Sequence, residues 1–252
     1  MSKIVLITGA TSGIGEACAH LFARENYDLI LTGRRTERLD ELAKKLNKKY
    51  NTEIAVSSFD VRDREQVVRS LEDLPAKWKK VDILINNAGL SQGLDPLQNG
   101  SYDDWDTMID TNVKGLLYVT KVVSNWMIDR KGGHIINLGS IAGKEVYPNG
   151  NVYCASKFAV DALNQGMRID LLQHGIKVTA IHPGAVVTEF SEVRFKGDKE
   201  RAKKVYDGFE PLSADDIAET IWFVVSRPAH VNINELTIMP TAQASAAIIS
   251  RK

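Results

Sequence analysis

The stretch Ile4-Val5-Leu6-Ile7-Thr8-Gly9-Ala10-Thr11-Ser12-Gly13-Ile14-Gly15 decides the fold. A short apolar run passes directly into a glycine-rich turn, and a helical pattern from about Gly13 to Arg24 follows. Glycines permit a tight turn and let the backbone approach a ligand, while the free N–H groups and macrodipole of a helix N-terminus favour an anion. At the strand-to-helix junction of a first βα unit, Gly9, Thr11, Ser12, Gly13, Ile14 and Gly15 are therefore expected to cradle a pyrophosphate. The spacing is a variant, with three residues between the first two glycines.

Outward from this junction, short apolar runs alternate with longer amphipathic stretches. The runs Leu29 to Thr32, Ile54 to Phe59, Ile83 to Ile85, His134 to Leu138, Lys177 to Ile181 and Leu236 to Met239 read as further strands. Such alternation is the mark of a parallel sheet covered by helices on both faces, so the expected fold is α/β, a doubly wound Rossmann-like domain. At 252 residues the chain is long enough for one full core and short for two, and residues 1–252 are read as a single dinucleotide-binding and catalytic domain. The only long irregular stretch, about 183–211, follows the sixth strand. Ligands of open α/β sheets lie beyond the carboxyl ends of the strands, where this segment is placed to act as a lid.

Composition narrows the function classes. Hydrophobic residues make up 44% and charged residues 25%, an ordinary globular balance with no run fit to span a bilayer. The 32 basic residues equal the 32 acidic ones, which argues against a broad basic footprint for nucleic acid and favours small-molecule partners. Cys18 and Cys154 fall in helical patterns, and the N-terminus opens into a strand without the succession of a signal peptide, as expected of a cytoplasmic protein. No histidine shares metal-ligand spacing with Cys, Asp or Glu, so no metal is expected and His182 is read as structural.

The second strand ends in Gly33-Arg34-Arg35, where an NAD enzyme usually offers Asp or Glu to the ribose hydroxyls. Two guanidiniums instead suit a 2′-phosphate, because their fork of donors matches phosphate oxygens. NADP is the expected cofactor; the alternative is that the two arginines are a solvated helix start.

Tyr153 and Lys157 stand one helical turn apart and share a face. A carbonyl that receives a hydride needs a proton donor, and a phenol with a pKa near 10 serves only when a nearby cation favours its phenolate. Lys157 has the spacing to be that cation. Ser140, at the end of a strand, can hydrogen-bond the substrate oxygen, and Asn112, an amide inside a helical pattern, is a candidate to hold a water in a proton relay.

Taken in order, the Thr8 to Gly15 loop, Asp60-Val61, Asn86-Asn87-Ala88-Gly89, Asn112, Ser140, Tyr153, Lys157 and Pro183-Gly184 resemble the motifs of the short-chain dehydrogenase/reductase family from end to end. The resemblance implies a seven-stranded sheet, with Asp60 and Val61 at the adenine and Asn86 and Ala88 lining the cofactor. It also implies Ile181 to Gly184 at the nicotinamide, Thr188 near its carboxamide, and a homotetramer whose long helices, about 102–130 and 152–174, pair across a two-fold interface. Many NADP-specific members carry an Arg at the position of Ser12, so here Arg34 and Arg35 would take the whole phosphate load.

Val193 to Asp198 in the lid and Pro228 to Asn234 before the last strand look like one branch of that family, the NADP-dependent 3-hydroxy acid dehydrogenases acting on serine-like acids or their semialdehydes. A short acid needs a cationic anchor, and Arg194 with Lys196 are the nearest suppliers, unless they are merely a solvated basic loop. Tyr147 and Phe190 are candidates to line the pocket or to be ordinary packing. The alternatives are a broad carbonyl reductase, a reductase of another short anionic aldehyde such as sulfoacetaldehyde, or a cofactor-sensing binding protein, which would be expected to have lost Tyr153 or Lys157.

Overall fold

The computed structural model describes residues 2–252. Seven strands, β1 (Ile4–Thr8), β2 (Asp28–Gly33), β3 (Ile54–Ser58), β4 (Val81–Asn86), β5 (Gly133–Leu138), β6 (Ile176–Pro183) and β7 (Glu235–Ile238), form one parallel sheet in the order β3-β2-β1-β4-β5-β6-β7. This is the doubly wound, Rossmann-like arrangement that the alternation implied. All seven apolar runs are strands, with ends shifted by a residue or two. The order reverses between β1 and β4, which opens a crevice at their carboxyl ends.

Helices α1 (Gly13–Arg24) and α2 (Thr36–Lys49) pack on one face with the later α9 (Ala214–Val225), while α3 (Arg64–Glu72), α5 (Leu116–Arg130) and α6 (Asn151–Asp170) cover the other. Both faces of the sheet are thus apolar, and strand side chains such as Leu6, Ile7, Leu29, Ile30, Leu31, Leu84 and Ile85 are fully buried. Each contributes roughly 1.5–3 kcal/mol relative to an exposed side chain. At the outer edge of the first face, Phe22, Tyr27 and Trp222 meet edge to face at centroid separations of 5.3–5.7 Å, locking α1 to α9.

Several helices are started by side-chain caps. Asp63 caps α3, Ser101 caps α4 (Tyr102–Ile109), and Ser213 with Asp216 forms a reciprocal capping box on α9. The N-cap of α1, Ser12, makes no such bond and leaves its first N–H groups free.

Two long elements depart from their expected form. The helix expected over about 102–130 is interrupted by a π turn, Asp110–Gly115, between α4 and α5. Residues 183–211 are not irregular throughout: they contain α7 (Phe190–Arg194) and α8 (Lys199–Lys204), started by the Asp198 cap. Both helices are too short to show a clear apolar period in sequence.

Candidate active site

Thr8 fixes the crevice from below. Its Oγ1 accepts hydrogen bonds from the backbone N–H groups of Asn87 at 3.0 Å and Ala88 at 2.9 Å, and Asn87 Nδ2 donates to the Thr8 and Gly9 carbonyls at 2.9 and 3.1 Å. The end of β4 is thereby stitched to the glycine loop. Gly13 sits at φ +54°, where a Cβ would lie 3.0 Å from Thr188, and so keeps a narrow passage open between the helix start and the chain after β6.

The resulting cleft encloses about 330 Å³ and is lined by Gly9, Thr11, Ser12, Gly13 and Ile14 of the loop. Arg34, Arg35, Asp60 and Val61 line one end; Ala88, Ser140, Tyr153, Lys157, Pro183, Gly184, Thr188 and Phe190 line the rest. A long dinucleotide fits these walls: the uncapped α1 N-terminus offers N–H donors to a diphosphate, and an exposed guanidinium stands at one end.

Two expected cofactor contacts are displaced. Gly15 does not face the cleft; a Cβ there would lie 2.3 Å from the Gly9 carbonyl oxygen, so its lack of a side chain lets α1 press against the loop. Asn86 is buried, and its Nδ2 donates to Thr120 Oγ1 at 2.8 Å and Asn137 Oδ1 at 2.9 Å, tying β4 to β5 and α5. As the last residue of β4 it points into the layer beneath, and Asn87 reaches the loop in its place.

The arginines divide their work. Arg35 Nε and Nη2 donate to Thr11 Oγ1 at 3.0 and 2.8 Å, Nη2 also reaches Ser12 Oγ at 2.9 Å, and Nη1 pairs with Glu189 at 2.9 Å. Arg34 has only a 3.9 Å approach to Asp60, whose carboxylate is clamped by Arg62. The freer guanidinium is therefore Arg34. Arg38, Arg62 and Glu189 were not legible as site residues, because their relation to the two arginines is tertiary.

At the other end of the cleft, α6 starts at Asn151 and carries Tyr153 and Lys157 on its buried face. Burial drives the Tyr153 phenol well above its ordinary pKa, Tyr147 adds to this, and a hydrogen bond with Ser140 and the charge of Arg194 oppose it. Lys157 Nζ donates to the Leu138 carbonyl at 2.8 Å, and burial lowers its pKa from 10.5 to about 8, so it stays mostly protonated at neutral pH. Sequence spacing assigns Lys157 as the cation that favours the phenolate; the charge of Arg194 also lowers the Tyr153 pKa, against a larger rise from burial.

Ser140 Oγ accepts from Ala142 N–H at 3.1 Å, which aims it at the cleft. Behind it, His182 is fully buried with Nδ1 3.3 Å from the Ser140 carbonyl oxygen. His182 also brings Nε2 into a cluster with Asp161 and Glu235, an arrangement sequence spacing does not reveal, but Lys144 Nζ already pairs with both carboxylates at 3.0 and 2.7 Å.

Asn112 lies within the π turn. Its amide is spent on the Leu90 backbone, accepting from N–H and donating to C=O at 2.8 Å each, and on Ser156 Oγ at 2.9 Å. Both amide hydrogens are spent and Oδ1 keeps one further acceptor site, while the bonds it makes fasten the chain after β4 to α6.

The lid brings Arg194 to the tyrosine. Its guanidinium lies over Tyr153 at 5.4 Å, Tyr147 at 5.6 Å and Phe190 at 5.8 Å, and donates to Ser91 Oγ at 3.1 Å and to the Tyr147 hydroxyl. Phe190 packs on Tyr153 with ring centroids 5.6 Å apart. Lys196 does not join them: its ammonium pairs with Asp104 at 2.9 Å.

The family described as short chain dehydrogenase matches this chain over residues 3–199. The chain belongs to this family. A short-chain dehydrogenase of Salmonella typhi, the NADP-dependent 3-hydroxy acid dehydrogenase YdfG, is 47% identical over 246 residues, covering 97% of this chain and 98% of that protein. Sulfoacetaldehyde reductase 2 of Chromohalobacter salexigens is 47% identical over 248 residues, covering 98% of both. Among solved structures, the closed form of serine dehydrogenase complexed with NADP+ superposes with a TM-score of 0.93 at 46% identity over 99% of both chains.

Proposed function

We propose that this short-chain dehydrogenase, an NADP-dependent oxidoreductase of CH–OH groups, interconverts a short 3-hydroxy acid and its semialdehyde. NADP(H), bound along the cleft, supplies or accepts the hydride. Arg34 and Arg35 hold the 2′-phosphate, Asp60 and Val61 border the adenine, and Ala88, Pro183, Gly184 and Thr188 line the path to the nicotinamide. Ser140 holds the substrate oxygen through its hydroxyl, and Tyr153 passes a proton to or from that oxygen. Lys157 keeps a positive charge beneath the site.

The observation that carries the substrate class is Arg194, a guanidinium stacked directly over the proton donor in a pocket of aromatic rings. A carboxylate separated from the reacting carbon by one intervening carbon can take up the donors that Arg194 now gives to Ser91 and Tyr147. A sulfonate presents a similar fan of oxygens, and the sulfoacetaldehyde reductase relative supports that second reading. A neutral carbonyl gives Arg194 nothing to bind.

Initial rates with NADPH against matched short aldehydes carrying a carboxylate, a sulfonate or no charge test this. The anionic pair should exceed the neutral compound by at least tenfold in kcat/KM, and the better anion names the substrate class; equal efficiency for the neutral compound would sink the reading. Tyr153→Phe should abolish turnover yet leave NADPH binding nearly intact, since only the proton donor is lost.

A homotetramer belongs to the same proposal. Phe158 and Ile169, eleven residues apart and so on one face of α6, remain exposed with Leu117 on α5 and Leu172 just beyond α6. Covering that face would remove apolar surface from water. No helix among the described residues is long and apolar enough to cross a membrane, in keeping with a cytoplasmic enzyme.

A further inference from the structure

Ser140 is held first by its own turn. Its Oγ accepts from Ala142 N–H at 3.1 Å, and its carbonyl accepts from Gly143 N–H at 2.8 Å, closing the single turn Ile141–Gly143 after β5. Both bonds lie inside the turn and move with it. Attachment to the sheet comes from β6: Gly139 N–H donates to the Ile181 carbonyl at 2.8 Å, and the next residue, His182, brings Nδ1 to 3.3 Å from the Ser140 carbonyl oxygen.

The imidazole packs directly on this backbone. A Cβ on Gly139 would lie 2.4 Å from His182 Nδ1, so the glycine is what lets the ring reach the carbonyl beyond it. His182 is 0% exposed, and its Nε2 has no hydrogen-bond partner among the described residues. That nitrogen stands 3.5 Å from Asp161 Oδ1 on α6, the oxygen that Lys144 holds at 3.0 Å while also pairing with Glu235 on β7. Burial and the charge of Lys144 lower the His182 pKa from 6.5, against the opposing pull of Asp161, the Ser140 carbonyl and Glu235, so the ring is neutral at pH 7. A neutral imidazole has one N–H to give, and the Ser140 carbonyl is the acceptor it meets at Nδ1.

We infer that His182 is a positioning residue for the reaction: as its Nδ1–H tautomer it pins the Ser140 carbonyl to β6, and so sets where the Ser140 hydroxyl meets the substrate oxygen and Tyr153. The inference rests on the assignment of Ser140 to the substrate oxygen. Carbonyl and hydroxymethyl share one Cα, so a peptide free to tilt swings the hydroxyl with it, and a misplacement of about 1 Å can cost roughly a hundredfold in rate.

Asparagine and leucine branch at the same carbon, but only asparagine offers a donor where Nδ1 stands. His182→Asn and His182→Leu are therefore compared, with NADPH and whichever of 3-oxopropanoate and sulfoacetaldehyde turns over faster. The leucine variant should lose about tenfold or more in kcat, asparagine should restore it to within about threefold of the unmodified enzyme, and both should bind NADPH with unchanged affinity. In a Ser140→Ala background, His182→Leu should cost less than about twofold more, because the hydroxyl it would misplace is gone. Nitrogen NMR of isotope-labelled histidine gives a second reading whether or not the leucine variant folds: in the unmodified chain one ring, missing from the His182→Asn spectrum, should be the Nδ1–H tautomer. A Ser140→Ala variant with unaltered kcat would overturn the Ser140 assignment itself. Equal losses from the two His182 variants, a loss that multiplies with that of Ser140→Ala, weakened NADPH binding in place of slower turnover, or an Nε2–H tautomer would each overturn the role of His182 alone.

Discussion

Two cations near one phenol do different things. Arg194 lies over the ring of Tyr153 and is held by Tyr147 and Ser91. If it reads the substrate's acid group, Arg194→Ala raises KM for a 3-hydroxy acid by the worth of a charged hydrogen bond, about 1.5–3 kcal/mol, with little effect on a neutral analogue. Parallel kinetics on the pair check this; equal losses would mean that Arg194 only shapes the lid. Lys157 is buried as a cation, and lowering its pKa from 10.5 to about 8 corresponds to roughly 3 kcal/mol against the charged form. Below pH 8 both folded and unfolded chains hold this proton, so the penalty is complete. Between about pH 8 and 10.5 the unfolded chain binds it more than the folded one, and stability rises with pH across that window. Lys157→Met should therefore lose activity but gain stability at pH 7, with the gain shrinking toward pH 10, as read from urea midpoints. A loss of stability at pH 7 would show that the bond to the Leu138 carbonyl outweighs the burial.

At the level of elements, the site depends on how closely α1 meets its loop. Gly15 is the contact point, with room for no Cβ beside the Gly9 carbonyl and the Asn87 amide. Gly15→Ala should push the helix off the loop, weaken NADPH binding at least tenfold in a fluorescence titration, and destabilise the fold by about 1–3 kcal/mol. Unchanged binding would mean that the loop tolerates the shift. The π turn is the second such device: an added residue in the helix turns Asn112 inward, where its amide fastens the Leu90 backbone to α6. The position of Asn112 in the chain was visible; its partners were not, because a π turn has no propensity signature.

For the whole molecule, the exposed apolar face of α5 and α6 motivates a quaternary prediction. Light scattering should show four chains, and Ile169→Asp combined with Leu172→Asp should reduce the assembly to smaller species without unfolding it. A stable monomer of the unmodified chain at micromolar concentration would refute the tetramer. The fold itself was legible at this scale, since a two-sided parallel sheet forces its strands to be short apolar runs and its helices to be amphipathic.

What the sequence by itself determined is the sheet, the glycine junction and the pairing of Tyr153 with Lys157 on one helix face, because each is written locally: continuous apolar runs, period 3.6, or a turn that only glycine allows. The tertiary structure alone decided which side chains are spent on one another. Asn86 and Asn112 turn inward to hold elements together, Lys196 closes on Asp104, and Glu189 crosses from the lid to Arg35 and Arg38. Those partners lie from 22 to 154 residues apart along the chain. Charge and hydrogen-bond pairing depend on distances of a few ångströms in space, and separation along the chain carries no information about them until the sheet has brought the loops together.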